Sequence, residues 1–115
     1  MTIKDSNTTI MVKDMDISIS FYQSIGFILK QRWDNHYAQL TAPGIVIGLH
    51  PASDNIPQEG SGNISIGFTI EDFQEAKSFL ETLSIHAISR DEEGGQFLHF
   101  NDPDSTALYF IKTKW

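Results

Sequence analysis

The chain has 115 residues, 40% of them hydrophobic and 11% aromatic, which indicates one compact domain with its own core and excludes a disordered or fibrous protein. It contains no cysteine, so disulfides, thiolate metal sites and cysteine nucleophiles are excluded. The formal net charge is −7 and no basic cluster is present, which argues against a nucleic acid as partner.

The charge is unevenly spread along the chain, and no targeting segment is visible. Residues 1–57 carry four basic and five acidic residues, whereas residues 58–115 carry four basic and ten acidic ones. This excess suits a cationic ligand, although it also serves solubility alone. No apolar run is long enough to cross a bilayer, and the N-terminal stretch lacks the apolar core of a secretory signal, so we expect a cytoplasmic protein without a membrane partner.

The first half of the chain predicts a strand, a helix and three more strands. Thr8–Val12 is extended, Asp14 can cap a helix, and Gly26 can end it. The predicted apolar face of this helix consists of Ile17, Phe21 and Ile25. The three strands that follow are Phe27–Trp33, Tyr37–Thr41 and Ile45–His50.

The second half predicts the same order of elements. Asn63–Ile70 is a strand and Asp72 can cap a helix. The apolar stripe of this helix is Phe73, Ala76, Leu80 and Leu83, with Phe79 beside it. The remaining strands are His86–Ser89, Gln96–Phe100 and Thr106–Lys112, and the acidic run Asp91-Glu92-Glu93 is interpreted as a solvated turn.

The two halves repeat each other at a constant offset of 58 residues, in which Asp14 matches Asp72, Ser20 matches Ser78 and Phe21 matches Phe79. We therefore predict an α+β protein of two tandem βαβββ modules, residues 1–51 and 63–115. Residues 52–62, rich in Pro, Gly, Ser and Asn, are predicted to be a linker.

Strand alternation divides each predicted sheet into a helix side and a second face. Ile10 and Val12, like Ile66, Phe68 and Ile70, should lie under the helices. The second face would then carry Asn7, Thr9, Met11, Val46, Gly48, His50, Ser65, Gly67 and Thr69. Adjusted for the longer turn after Asn101, the repeat makes Tyr109 the counterpart of Gly48. If the sheets curl, these second faces line a pocket.

Two motifs carry a resemblance to a known family over essentially the whole chain. The first is VKDMDISISFYQSIGF, with Val12, Asp14, the Phe21-Tyr22 pair and the Gly26-Phe27 end. The second is NDPDSTALYF, in which Asp102-Pro103-Asp104 matches an Asp-Pro-Asp-Gly-Asn turn while Ser105 and Thr106 depart from it. With the duplication, they resemble the vicinal oxygen chelate superfamily, also called the glyoxalase, bleomycin-resistance and dioxygenase group. The resemblance implies curved mixed sheets around a cavity, often within a homodimer.

The enzymes of that family hold a divalent metal through histidines, glutamates or similar ligands at four strand positions. The resemblance carries these positions over to Asn7, Gly48, Ser65 and Tyr109. Glycine has no side chain, a neutral amide and a hydroxyl bind divalent ions weakly, and a phenol binds them well only after losing its proton. We therefore expect neither a metal nor another cofactor, and we assign no catalytic residue.

The four histidines offer an alternative site. His50 and His99 have the parity of the second face, His36 lies in a predicted turn and His86 starts a predicted strand, but no closely spaced ligand pair is present. No serine elbow, phosphate loop or dinucleotide fingerprint occurs in the sequence either. Tyr109 could serve as a general acid, although an aromatic wall residue is the simpler interpretation.

These observations predict a site for a small molecule rather than for chemistry. The predicted ligand-binding residues are Trp33, Tyr37, Gly48, His50, Ser65, Phe97, His99 and Tyr109, with Trp115 as an additional candidate. For Trp33 and Phe97, packing in the core or a dimer interface is an open alternative. The resemblance is closest to the metal-free bleomycin-resistance type, which sequesters a drug at a dimer interface. Two other readings stay open, namely an enzyme with a non-standard site, of the lyase, isomerase or dioxygenase kind, and a structural or regulatory remnant with a filled cavity.

Overall fold

The computed structural model describes residues 1, 2, 4–52 and 64–114. The chain divides into two compact units, Met1–Ile56 and Pro57–Trp115. The predicted linker beyond Ala52, the predicted strand start at Asn63 and the candidate Trp115 lie outside the described residues.

The first module has a four-stranded sheet and one helix. Its elements are β1 (Thr8–Val12), α1 (Met15–Ser24), β2 (Ile28–Trp33), β3 (Tyr37–Ala42) and β4 (Ile45–Pro51). The strand order is β1-β4-β3-β2, and the first strand pairs in parallel with the last while the other pairs are antiparallel.

The second module repeats this arrangement. Its elements are β5 (Ser65–Thr69), α2 (Phe73–Thr82), β6 (Ile88–Glu92), β7 (Gly95–Asn101) and β8 (Ala107–Thr113). The strand order is β5-β8-β7-β6, with β5 again parallel to β8. Two βαβββ modules of the α+β class are therefore confirmed.

Strand β6 differs from the prediction. It begins at Ile88 rather than His86, and it includes Asp91 and Glu92, which the sequence suggested were part of a turn. These two residues pair with Gln96 and Gly95 of β7. The strand lies at the sheet edge with all five residues exposed, where charged side chains are tolerated and discourage pairing with another chain.

The helix ends repeat at the predicted offset. The carboxylate oxygens of Asp14 and Asp72 each accept a hydrogen bond from a backbone N–H three residues later, at 3.0 Å in both helices. At the other ends, Gly26 and its counterpart Ser84 both have positive φ, 116° and 58°. The duplicated local signals thus produce the same helix boundaries in both modules.

The buried face of α1 is not the predicted one. Ile17 is 56% exposed, and Phe21 and Ile25 are only partly buried. The residues that face the sheet are Met15, Ser18, Ile19 and Tyr22. Apolar side chains lie on two opposite sides of this helix, so the periodicity alone fits two faces. The small Ser18, fully buried, lets the helix approach the sheet, while the fully buried Tyr22 fills the space beside it and meets the Phe27 ring edge-on.

The other predicted apolar faces agree with the structure in part, since Phe68, Ile70, Phe73 and Leu83 are only partly buried. Ile10, Val12, Ile47 and Leu49 are buried in the first module, and Ile66, Leu108 and Phe110 in the second. In α2, Ala76 and Leu80 are buried as predicted. Each sheet therefore has one face occupied by its helix, which leaves the opposite face for the predicted binding residues.

Two isoleucines on α1 test the corrected helix face. Ile19→Ala should lower the free energy of unfolding by about 2–5 kcal/mol, because it leaves a cavity at a side chain that is 5% exposed. Ile17→Ala, the matched control, should change it by no more than about 0.5 kcal/mol. Urea denaturation followed by circular dichroism measures both, and equal losses would contradict the assigned face.

Candidate functional site

In the first module, Tyr37 lies across the sheet face opposite α1. Gly48 pairs with Thr9 on one side and with Gln39 on the other. A Cβ built on Gly48 would lie 2.7 Å from Cε1 and Cζ of Tyr37, so the phenol ring occupies the space above this glycine. The amide of Gln39 donates a hydrogen bond of 3.4 Å to the Tyr37 hydroxyl. The ring is therefore held down against the sheet.

Two further predicted residues border Tyr37 or continue its face. The Trp33 ring lies 5.5 Å from the Tyr37 ring and remains 42% exposed. His50 is exposed and pairs with Met11, which is 49% exposed. The Nδ1 atom of His50 lies 2.8 Å from the carbonyl oxygen of Pro51 and must donate to it, so Nε2 is the acceptor in the neutral ring. Trp33, Tyr37 and Gly48 thus form one group. His50 lies further along β4, the strand that contains Gly48.

In the second module, three predicted residues form a cluster of rings. Phe97 and His99 are stacked, with centroids 5.6 Å apart and planes 7° from parallel. The Tyr109 ring lies 5.8 Å from Phe97 and 5.9 Å from His99. All three side chains are half-buried and lie on the sheet face opposite the helix side, since His99 pairs directly with Tyr109.

Gly67 lies next to this cluster, and the sequence did not assign it to the site. It pairs with Tyr109 across the parallel β5–β8 ladder. A Cβ on Gly67 would lie 2.5 Å from Cε2 of Tyr109, so this ring too occupies the space above a glycine. Ser65, two residues earlier on the same face, is exposed and pairs with Ala107. A glycine inside a strand often marks a close approach of this kind, which was the available signal.

The turn that precedes β8 is held by a buried aspartate. Asp102 is 5% exposed, and its Oδ1 accepts hydrogen bonds from the backbone N–H groups of Asp104 at 2.9 Å and Thr106 at 2.8 Å. Ser105 has φ of 66°, a left-handed conformation that glycine adopts more readily. This is the position at which the resemblance led us to expect glycine.

The four positions inferred for metal ligands do not fit a divalent ion. The pairing of Thr9 with Gly48 and of Gly67 with Tyr109 makes Gly48 and Tyr109 equivalent strand positions, as predicted. The positions at the strand starts are Asn7, which precedes β1, and Ser65. This donor set has no carboxylate and no imidazole, and the Tyr109 ring lies on Gly67. Among the described residues, no three His, Cys, Asp or Glu side chains lie close enough to share an ion.

A small cleft of about 230 Å³ at the start of α1 was also missed by the sequence analysis. It is lined by Lys13, Asp14, Met15, Asp16, Asn35 and Pro51. Asp14 is already engaged as the helix cap, and Asp16 forms an ion pair of 2.8 Å with Arg32.

No helix in the described part of the chain has the length and apolarity needed to span a membrane.

The chain belongs to the glyoxalase/bleomycin resistance protein/dioxygenase superfamily, whose sequence model matches residues 6–110. This confirms the resemblance. The comparison with curated protein sequences finds no match.

Several solved structures share the fold. The fosfomycin resistance protein FosX from Listeria monocytogenes is 19% identical, with a TM-score of 0.79 over 99% of this chain and 96% of that one. A glyoxylase/bleomycin resistance protein/dioxygenase domain from Frankia sp. EAN1pec is 20% identical, with a TM-score of 0.77 over 99% and 100% of the two chains. A bleomycin-binding protein in complex with bleomycin is 20% identical, with a TM-score of 0.72 over 97% and 100%. At these identities the similarity establishes the fold alone.

Substitutions in the turn before β8 should act in opposite directions. Asp102→Ala should lower the free energy of unfolding by about 2 kcal/mol, because two backbone N–H groups lose a charged acceptor. Ser105→Gly should raise it by up to about 1 kcal/mol, because the strained φ is relieved at some entropic cost. Urea denaturation measures both changes, and a destabilising Ser105→Gly would contradict the assigned strain.

Proposed function

We propose that this protein is a metal-free small-molecule binding protein that sequesters a planar or cationic ligand without transforming it. The observation that carries the proposal is the cluster of Phe97, His99 and Tyr109. One member of the cluster, Tyr109, is at a position to which the resemblance carries over a metal ligand of the family's enzymes, and its ring contacts Phe97 and His99. Partly exposed rings with a few polar tips are the usual composition of a small-molecule site.

Charge and aromatic character support a cationic, planar ligand. Tyrosine and tryptophan faces attract cations through their quadrupole, and flat ligands stack on them. Residues 58–115, which contain the ring cluster, carry ten acidic and four basic residues. The corresponding face of the first module offers Trp33 and Tyr37. The solved relative that is described as bound to bleomycin gives a precedent for a ligand on this fold.

Two parts of the proposal go beyond the molecule described above. We propose that the protein acts as a homodimer and that the ligand is held at the dimer interface, because the resemblance in sequence is to proteins of that type. We also propose that the protein is cytoplasmic. Size-exclusion chromatography with light scattering tests the first statement, and a monomeric mass with and without ligand would contradict it.

The alternative is an enzyme with a non-standard site, because the superfamily is named for glyoxalases and dioxygenases as well as for bleomycin resistance proteins. Metal analysis of the purified protein separates the two. We expect less than stoichiometric iron, manganese, nickel or zinc, because the four inferred positions lack charged donors. A tightly bound ion at one per chain would overturn the proposal.

Binding should depend on the ring cluster. We expect proflavine, a flat aromatic cation, and bleomycin to give a saturable rise in the melting temperature. Tyr109→Ala should weaken proflavine binding about tenfold, because a stacking and cation–π partner is lost. Phe79→Ala removes a ring that is 42% exposed on α2 and is the matched control, whose affinity should stay unchanged.

Fluorescence titration of proflavine measures these affinities. Equal losses in the two variants would show that the ring cluster is not the site. If neither proflavine nor bleomycin stabilises the protein, the remnant with a filled cavity becomes the better description.

A further inference from the structure

Position 67 requires a glycine because there is no room for a side chain, and not because of its backbone conformation. It lies in the middle of β5, and its φ is outside the left-handed region that favours glycine. A residue with a Cβ could therefore adopt this backbone without strain. The Cβ itself has no room, because the hydroxyl end of Tyr109 occupies its place, with Cε2 2.5 Å away. Contacts this short do not occur, so an added Cβ would displace the ring.

The first module contains the same contact, built from different strands. There the glycine is Gly48 on β4 and the tyrosine is Tyr37 on the neighbouring β3. In the second module, the glycine is on β5 and the tyrosine on β8. At the offset of 58, the residue that matches Gly67 is Thr9, so the contact was not simply copied by the duplication. In each module a tyrosine ring lies on a glycine of a neighbouring strand, but the two modules use different pairs of strands for this contact.

We propose that Gly67 is a positioning residue, which gives Tyr109 the space to lie on the sheet and so makes its ring a floor for a flat ligand. Gly48 does the same for Tyr37. The inference rests on the proposed function and refines it, because the size of residue 67 then determines which ligands fit. With a larger residue at this position, the Tyr109 ring is lifted towards the volume in which a ligand would stack on it.

The position of the ring can be tested without any ligand. Protons that lie over an aromatic ring are shifted upfield, so the α protons of Gly67 should resonate upfield of ordinary strand glycines in the NMR spectrum. Tyr109→Ala should abolish that shift, and Phe79→Ala should leave it unchanged. Unshifted α protons in the wild-type protein would overturn the positioning of the ring, whatever the protein binds.

The role in binding is tested with proflavine on four proteins. Gly67→Ala should weaken proflavine binding at least about tenfold relative to the wild type. In the Tyr109→Ala background, the same substitution should cause no further loss, because there is no ring left to displace. Gly94→Ala is the matched glycine control, since a Cβ there would meet only Phe97 Cζ at 3.9 Å, and its affinity should not change.

The outcomes separate the inference from the proposed function. A Gly67→Ala variant that binds as tightly as the wild type, or that loses affinity equally with and without Tyr109, would overturn the role of Gly67. If the wild type fails to bind proflavine although its Gly67 protons are shifted, the proposed function and the role of Gly67 in binding are both contradicted. The position of the Tyr109 ring over Gly67 is still supported in that case. If Gly67→Ala does not fold, recovery of folding in the double variant supports the displacement of the ring, and its failure to recover overturns it.

Discussion

The parallel pairing between the first and last strands of each module is the constraint on which the candidate site depends. It sets Thr9 beside Gly48 and Gly67 beside Tyr109. A slip of one residue would turn every side chain of a strand to the other face and expose buried residues such as Ile10 and Leu49. Burial of the helix-side face thus fixes the register, and the register determines which side chains the opposite face presents.

The side chains at the paired positions determine which chemistry is available on the sheet face opposite the helix. The resemblance carries the metal ligands of the family's enzymes over to these positions, whereas this chain has a glycine and a tyrosine at two equivalent sites. The tyrosine ring lies on a glycine and contacts Phe97 and His99, an arrangement suited to stacking and weak polar contact. The pairing of the first and last strands is kept in both modules although neither position carries a charged donor.

Much of the fold was predictable because its signals are local and occur twice. The aspartate caps, the alternation in β1 and β5, and the turn before β8 each depend on a few adjacent residues and were predicted correctly. The prediction ended β6 too early, at Ser89, because an edge strand that exposes Arg90, Asp91 and Glu92 lacks the apolar alternation of an inner strand. Parity assigned His50, His99 and Tyr109 to the second face, whereas the facing of Trp33 and Phe97 stayed open, and no local signal predicted the ring contacts.

By itself, the sequence determined the two βαβββ modules, the helix caps and the absence of charged donors at the inferred metal positions, since these depend on residue identity and short-range spacing. The tertiary structure alone decided which face of α1 is buried, because apolar residues lie on two sides of that helix and only its packing on the sheet selects Ile19 over Ile17. It also decided what Gly48 and Gly67 do. A glycine's role as open space depends on the ring that fills it, and in each module that ring comes from a neighbouring strand.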